Sequence, residues 1–318
     1  MNKKTKIMSV TLAIFTLLTL TNCQNDEVVP LPIKGILTTG DTASNFKVEV
    51  LDSGTSEQKV GKSTIVLKLS NRTDGLATNG KTLTLVPNMA MVSGHNHGTP
   101  VDSIVDNGDG TYTITLYYLM ATNDMMGNKA GDWTAKMQIV GDKVVTSSKL
   151  DITVGGSMMD RVVLKGVNDK ITNMSVVEKR KYFIFKEMVM GTSGAKSVKL
   201  FLATRESMVN HPAVFATKSL NGESSSSWTV STVTLKVYQA NSTWITLTDN
   251  GNGHFSASNV NITDMQKILD FQLNIDNGTV VEQKTTNGLV YDSNVDPTAK
   301  TNDEYDSNGF GHLMLMSM

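Results

Sequence analysis

Between Pro87 and Pro100 the chain reads Pro-Asn-Met-Ala-Met-Val-Ser-Gly-His-Asn-His-Gly-Thr-Pro, which gathers two thioethers, Met89 and Met91, and two imidazoles, His95 and His97. If the segment runs as strand, a period of two puts Met89 and Met91 on one side, and likewise His95 and His97. Thioether and imidazole together suit copper, Cu(I) above all, and suit magnesium or calcium poorly. Weaker candidates of the same chemistry are Met120, Met125 and Met126 in the next long loop and Met208 with His211 in the second half. The last residues, His312-Leu-Met314-Leu-Met316-Ser-Met318, alternate so that one His and three Met share a strand face, and His312 with Met314 joins the weaker set. The chain holds 18 methionines. Met137, Met174 and Met265 stand alone in their segments and read as flexible core filler.

Other chemistries are poorly served. Cys23 is the single cysteine, which excludes an intrachain disulfide and a multi-thiolate metal site. Gly75-Leu-Ala-Thr-Asn-Gly80-Lys81-Thr82 satisfies the phosphate-loop pattern by letter. That pattern works only where a helix follows and turns its amino terminus to the phosphates; here Thr-Leu-Thr-Leu-Val alternates as a strand, so no nucleotide is expected. Asp106-Asn-Gly-Asp-Gly and Asp249-Asn-Gly-Asn-Gly lack the rhythm and distant Glu of a calcium loop. They read as tight turns whose glycines supply positive φ. There is no H-E-x-x-H, no G-x-S-x-G and no thiol nucleophile, so catalysis is not expected. With 29 basic and 30 acidic residues no global field collects nucleic acid.

The elements that must position the methionines and histidines begin after an export signal. Lys3, Lys4 and Lys6 precede an apolar run from Ile7 to Leu20 that ends at Thr21-Asn22-Cys23, the form of a lipoprotein signal peptide over residues 1–22 with Cys23 as lipid attachment. The anchor is the implied membrane contact. Gln24 and the acidic residues after it favour the outer membrane or the cell surface over the inner membrane. Residues 23–41, with Pro30 and Pro32, read as a tether. Beyond it, alternating segments at 46–51, 63–69, 81–86, 111–119 and 133–140 are separated by turn residues, an all-β pattern.

The second half replays the first. Residues 81–86, a Met- and His-bearing loop and the Asp106 turn match residues 196–202, Met208 with His211 and the Asp249 turn; 63–69 matches 181–190, and 137–145 matches 271–281. Two tandem immunoglobulin-like β-sandwiches follow, residues 42–156 and 157–318, each closing its own core and folding separately. The Ser-rich stretch 221–227 lengthens the second copy as a surface loop or an extra hairpin.

From Leu85 to Val140 the chain resembles the YtkA-like and FixH-like exported β-sandwich domains, in which a Pro-x-Met loop with a nearby His precedes a Gly-Asp-Gly-Thr-Tyr hairpin and a Gly-x-Trp strand. Here those are Pro87-Asn-Met89, His95 and His97, Gly108–Tyr112 and Gly131-Asp-Trp133. The resemblance implies a role in copper handling. The expectation is an extracytoplasmic lipoprotein that binds copper as carrier or buffer. The alternative is a surface-exposed interaction protein, an adhesin or envelope-assembly subunit, that contacts a host or envelope protein and uses its methionines only for packing.

Overall fold

Along Gly61–Asn71 (β3) the residues Ser63, Ile65, Leu67 and Leu69 are buried while Lys62, Thr64, Val66 and Lys68 are not. The strand therefore has one core face and one outer face. The computed structural model describes residues 45–51, 58–124, 126–142, 144–146, 154–155, 161–241, 243–265, 268–276 and 311–314. In it β3 pairs with Phe46–Leu51 (β1) and Thr111–Tyr118 (β7), and β7 carries Val101–Asp106 (β6) on its far side. The facing sheet has the order Asn96–His97 (β5), Leu83–Met91 (β4), Gly131–Ile139 (β8), Val144–Thr146 (β9). Between the sheets lies a core built around Leu67, Leu69, Tyr112, Ile114, Met89, Trp133 and Ile139. Gln58–Lys59 (β2) pairs with Val154–Gly155 (β10) at its margin, and Val154 is buried in the same core. The segment after Gly80-Lys81 is the strand β4, so no helix turns its amino terminus to the Gly75–Thr82 loop, which links the two sheets and is not a hairpin turn.

The second sandwich uses the same plan with one strand more. Its first sheet has the order Arg161–Asn173 (β11), Val176–Thr192 (β12), Ala195–Thr204 (β13), His254–Val260 (β19), Thr248–Asp249 (β18). Its second sheet has the order Trp244–Thr246 (β17), Thr232–Tyr238 (β16), Ile268–Asp276 (β20), Gly311–Met314 (β21). The 221–227 stretch is an extra hairpin, Ser219–Asn221 (β14) with Ser227–Thr229 (β15).

Hydrogen bonds fix how the copies correspond. Leu69 N donates to Gly110 O at 2.8 Å and Leu202 N to Gly253 O at 2.8 Å; Arg72 N donates to Asn45 O at 3.0 Å and Arg205 N to Lys181 O at 3.0 Å. Leu67 faces Tyr112 as Leu200 faces Phe255. So β1, β3, β7 and β6 correspond to β12, β13, β19 and β18, and β4 and β8 to β16 and β20. The Asp106 and Asp249 turns do coincide, each carrying two positive-φ glycines. Upstream of them the sequence alignment is displaced by one strand: 81–86 belongs with β16 and 63–69 with β13. Short alternating strands of Leu, Lys and Thr carry the same period-two pattern and so are interchangeable to the eye.

The displacement matters because Phe183, Phe185, Phe201, Ala203 and His254 on the outer face of the second sandwich replace Lys47, Glu49, Lys68, Ser70 and Thr111 of the first. That face is apolar because it is covered. Tyr117 and Leu119 of the first sandwich join Val163, Phe183, Phe185, Phe201 and Ala203 in one buried cluster. Tyr117 stacks on Phe201 with ring centroids 4.0 Å apart. Each half closes its own core, and a third, shared cluster joins them.

Candidate functional site

Met89 lies on the inward side of β4, directly opposite His97 of β5. Residues opposite one another in an antiparallel pair share a face, and the outward neighbours agree, since Asn88 Nδ2 donates to Asn96 Oδ1 at 3.3 Å. The hairpin closes with Met91 N donating to His95 O at 2.9 Å. With a period of two, Met91 follows Met89 and His95 follows His97 on that same face. The four side chains grade from core to solvent: Met89 is fully buried, Met91 and His97 are half-buried and His95 is exposed. Room for the Met89 thioether comes from Gly131, where a Cβ would stand 3.0 Å from Met89 Cε. Met120 packs partly against the same core, and its carbonyl accepts the Trp133 indole N–H at 3.3 Å.

The segment runs as strand through Met91, and Met89 is a core residue as well as a candidate ligand. Met89→Ala should cost about 2–5 kcal/mol as a buried large-to-small change, whereas His95→Ala should stay within about 0.5 kcal/mol. Urea unfolding of the two variants checks this, and equal midpoints would overturn it.

The remaining candidates fall in several places. Met208 is half-buried, and its carbonyl accepts Gly98 N–H at 2.6 Å. His211 is 5% exposed, lies edge-on to Phe183 at 5.6 Å, and has no hydrogen-bond partner at either ring nitrogen among the described residues. The loop of Met208 and His211 corresponds to residues 72–82, not to the hairpin of His95 and His97, yet folding brings it beside His97. Met126 is exposed at a turn. His312 and Met314 lie on β21, opposite Asp270 and Ile268. Cys23, Met125, Met316 and Met318 lie outside the described residues. Of the three methionines read as filler, Met137 is in the core, but Met174 and Met265 are 82% and 88% exposed because both sit in turns.

The donor set decides which ion fits. Among the described residues no three His, Cys, Asp or Glu side chains gather into a metal-holding group. A centre here therefore needs the thioethers, and two thioethers with two imidazoles fit a soft ion. Burial holds His97 below the ordinary imidazole range, with the charges of Arg205 and Lys181 adding to it. Burial lowers His211 to about 3, helped by Arg205 and His97. Burial thus disfavours the protonated form of both rings, and it is the neutral imidazole that ligates a metal.

A second polar cluster at the junction was not visible in the sequence. His254 Nε2 bonds Asp102 Oδ1 at 2.9 Å and its Nδ1 bonds Glu187 Oε2 at 3.0 Å. Glu187 Oε1 also accepts Lys62 Nζ at 2.6 Å and Tyr117 OH at 2.8 Å. Lys62, Asp102 and Tyr117 come from the first sandwich, Glu187 and His254 from the second. The signal that was present is the unbroken apolar runs 182–185 and 200–203, which mark strands covered on both faces.

No family model matches the chain, and no curated protein matches it. Among solved structures it is similar to invasin, described as a bacterial integrin-binding protein, at 11% identity and a TM-score of 0.21 over 74% of this chain and 37% of that one. It is also similar to a pullulanase complexed with maltotriose from Anoxybacillus sp. LM18-11, at 8% identity and a TM-score of 0.17 over 69% of this chain and 23% of that one. The chain thus spans well under half the length of either. By its own sheet order and strand pairing, it is an all-β protein built of immunoglobulin-like sandwiches in tandem.

Proposed function

We propose that this is an exported, lipid-anchored protein that binds copper as Cu(I), acting as a carrier or buffer at the outer membrane or cell surface and catalysing nothing itself. The observation that supports it is the β4–β5 hairpin, whose pairing aligns Met89 with His97 and sets Met91 and His95 on the same face. Ligand softness favours copper over hard ions. Protein lacking residues 1–23 should take up about one Cu(I) per chain in the presence of a competing chelator. Replacing Met91, His95 and His97 together, leaving the core residue Met89 in place, should remove most of that uptake. Full uptake in the triple variant would move the metal elsewhere, and no uptake in the parent would end the copper reading. In cells, Cys23→Ala should abolish lipid labelling, since no other thiol is present.

A second reading, an interaction protein, is favoured by the tip of the β11–β12 hairpin. There Met174, Val176 and Val177 are exposed, with Met174 at φ 50° and Ser175 at φ 66°. Positive φ is uncommon for such side chains, and apolar groups held in solvent are a feature of contact surfaces. A protein that binds no copper but loses a cell-surface or envelope partner on Met174→Asn would establish this reading.

A further inference from the structure

The hairpin of His95 and His97 does not end in solvent. Gly98, next to His97, donates its N–H to Met208 O at 2.6 Å, and a Cβ at Gly98 would collide with the Val209 backbone. Only glycine permits so close an approach. The Val209 segment leads directly to His211, which is buried and has neither ring nitrogen bonded among the described residues. A buried imidazole of this kind leaves a donor and an acceptor unsatisfied, which costs free energy unless something else meets them. The Phe183 ring lies edge-on to it, and Arg205 and His97 are close by.

Resting on the copper reading, we propose that the metal centre is completed across the junction, with His211 of the second sandwich joining His97 of the first. Gly98, beside His97, is held against the Met208–Val209 backbone, and His211 follows two residues later with both ring nitrogens unbonded among the described residues. Imidazoles and thioethers together are ligands for a soft ion. The same arrangement links metal binding to the docking of the two sandwiches, because the ligands come from both.

The test compares the parent with His211→Phe, which keeps a ring against Phe183 but has no nitrogen, and with His211→Gln as a second variant should the first fail to fold. Competition titrations with Cu(I), Ag(I) and Zn(II) and hydrogen exchange with and without Cu(I) are the readouts. Expected are a loss of at least about tenfold in Cu(I) and Ag(I) affinity in either folded variant, and Cu(I)-dependent protection in the parent at both 89–97 and 205–212. Protection confined to 89–97, with unchanged affinity in the variants, would overturn the proposal while leaving the copper reading intact. Zn(II) bound as tightly as Ag(I) would overturn a soft centre built from His97, His211 and the thioethers. A parent that binds no Cu(I) removes both readings together.

Discussion

Glu187→Ala is expected to destabilise the full chain by about 1–3 kcal/mol, the range for leaving a buried polar partner such as the Tyr117 hydroxyl unsatisfied. The Glu187 side chain is 7% exposed, and its carboxylate takes bonds from Lys62, Tyr117 and His254 at once. Without it Tyr117 keeps a buried hydroxyl with no acceptor, and His254 keeps only Asp102. Lys62→Ala should cost no more than about 1 kcal/mol, because Lys62 is largely in solvent. Urea unfolding decides between a shared clasp and independent halves. A change below about 0.5 kcal/mol for Glu187→Ala would mean that the clasp contributes little.

The pH dependence follows with a definite sign. Burial alone would lower the His254 pKa, but the bonds to Glu187 and Asp102 outweigh it and raise it above the ordinary 6.5. Burial alone would raise the Glu187 pKa, but Lys62, His254 and Tyr117 outweigh it and hold it below the ordinary 4.5. A raised histidine contributes stability that is fully present below pH 6.5 and is lost as pH rises through its folded pKa. A depressed carboxylate contributes stability present above pH 4.5 and lost as pH falls through its folded pKa. The clasp is therefore strongest between those two values. The gap in thermal midpoint between the parent and His254→Gln should be widest there and should close on the alkaline side. A gap that widened toward pH 9 would contradict the assignment.

A second large effect is expected at Asp169. Its Oδ2 accepts Arg180 Nε at 2.8 Å and also the Tyr182 hydroxyl, with Arg180 entirely buried beside Trp228. Arg180 Nη2 donates to the Asn221 carbonyl, which ties the inserted hairpin to β12. Asp169→Ala leaves a buried guanidinium without its counter-ion and should cost about 3–5 kcal/mol. The double change Asp169→Leu with Arg180→Met should cost less than either single change, since an apolar pair replaces a buried ion pair at little loss. Equal and additive losses would show that the two side chains act separately.

The Met and His face of the β4–β5 hairpin was legible because it depends on local periodicity. Met89, Met91, His95 and His97 are spaced for a two-stranded ribbon, and pairing across the turn is all the structure adds. The depth of Met89 was not legible, because whether a strand residue faces core or solvent depends on the facing sheet. Neither was the nearness of His211, whose loop was matched to the wrong strand. The Asp106 and Asp249 turns were read correctly because Asn-Gly and Asp-Gly chemistry is local.

The sequence by itself determined most of the strands, the tight turns and the one hairpin where Met and His concentrate, since each follows from patterns within about ten residues. Only the tertiary structure decided that the second sandwich has a covered outer face, that Lys62, Tyr117 and Asp102 meet Glu187 and His254, and that Gly98 brings His97 to the Met208 loop. These contacts join residues as far apart as Asp102 and His254. A strand reveals which of its residues share a side, but what covers that side is settled by the packing of one sheet on another.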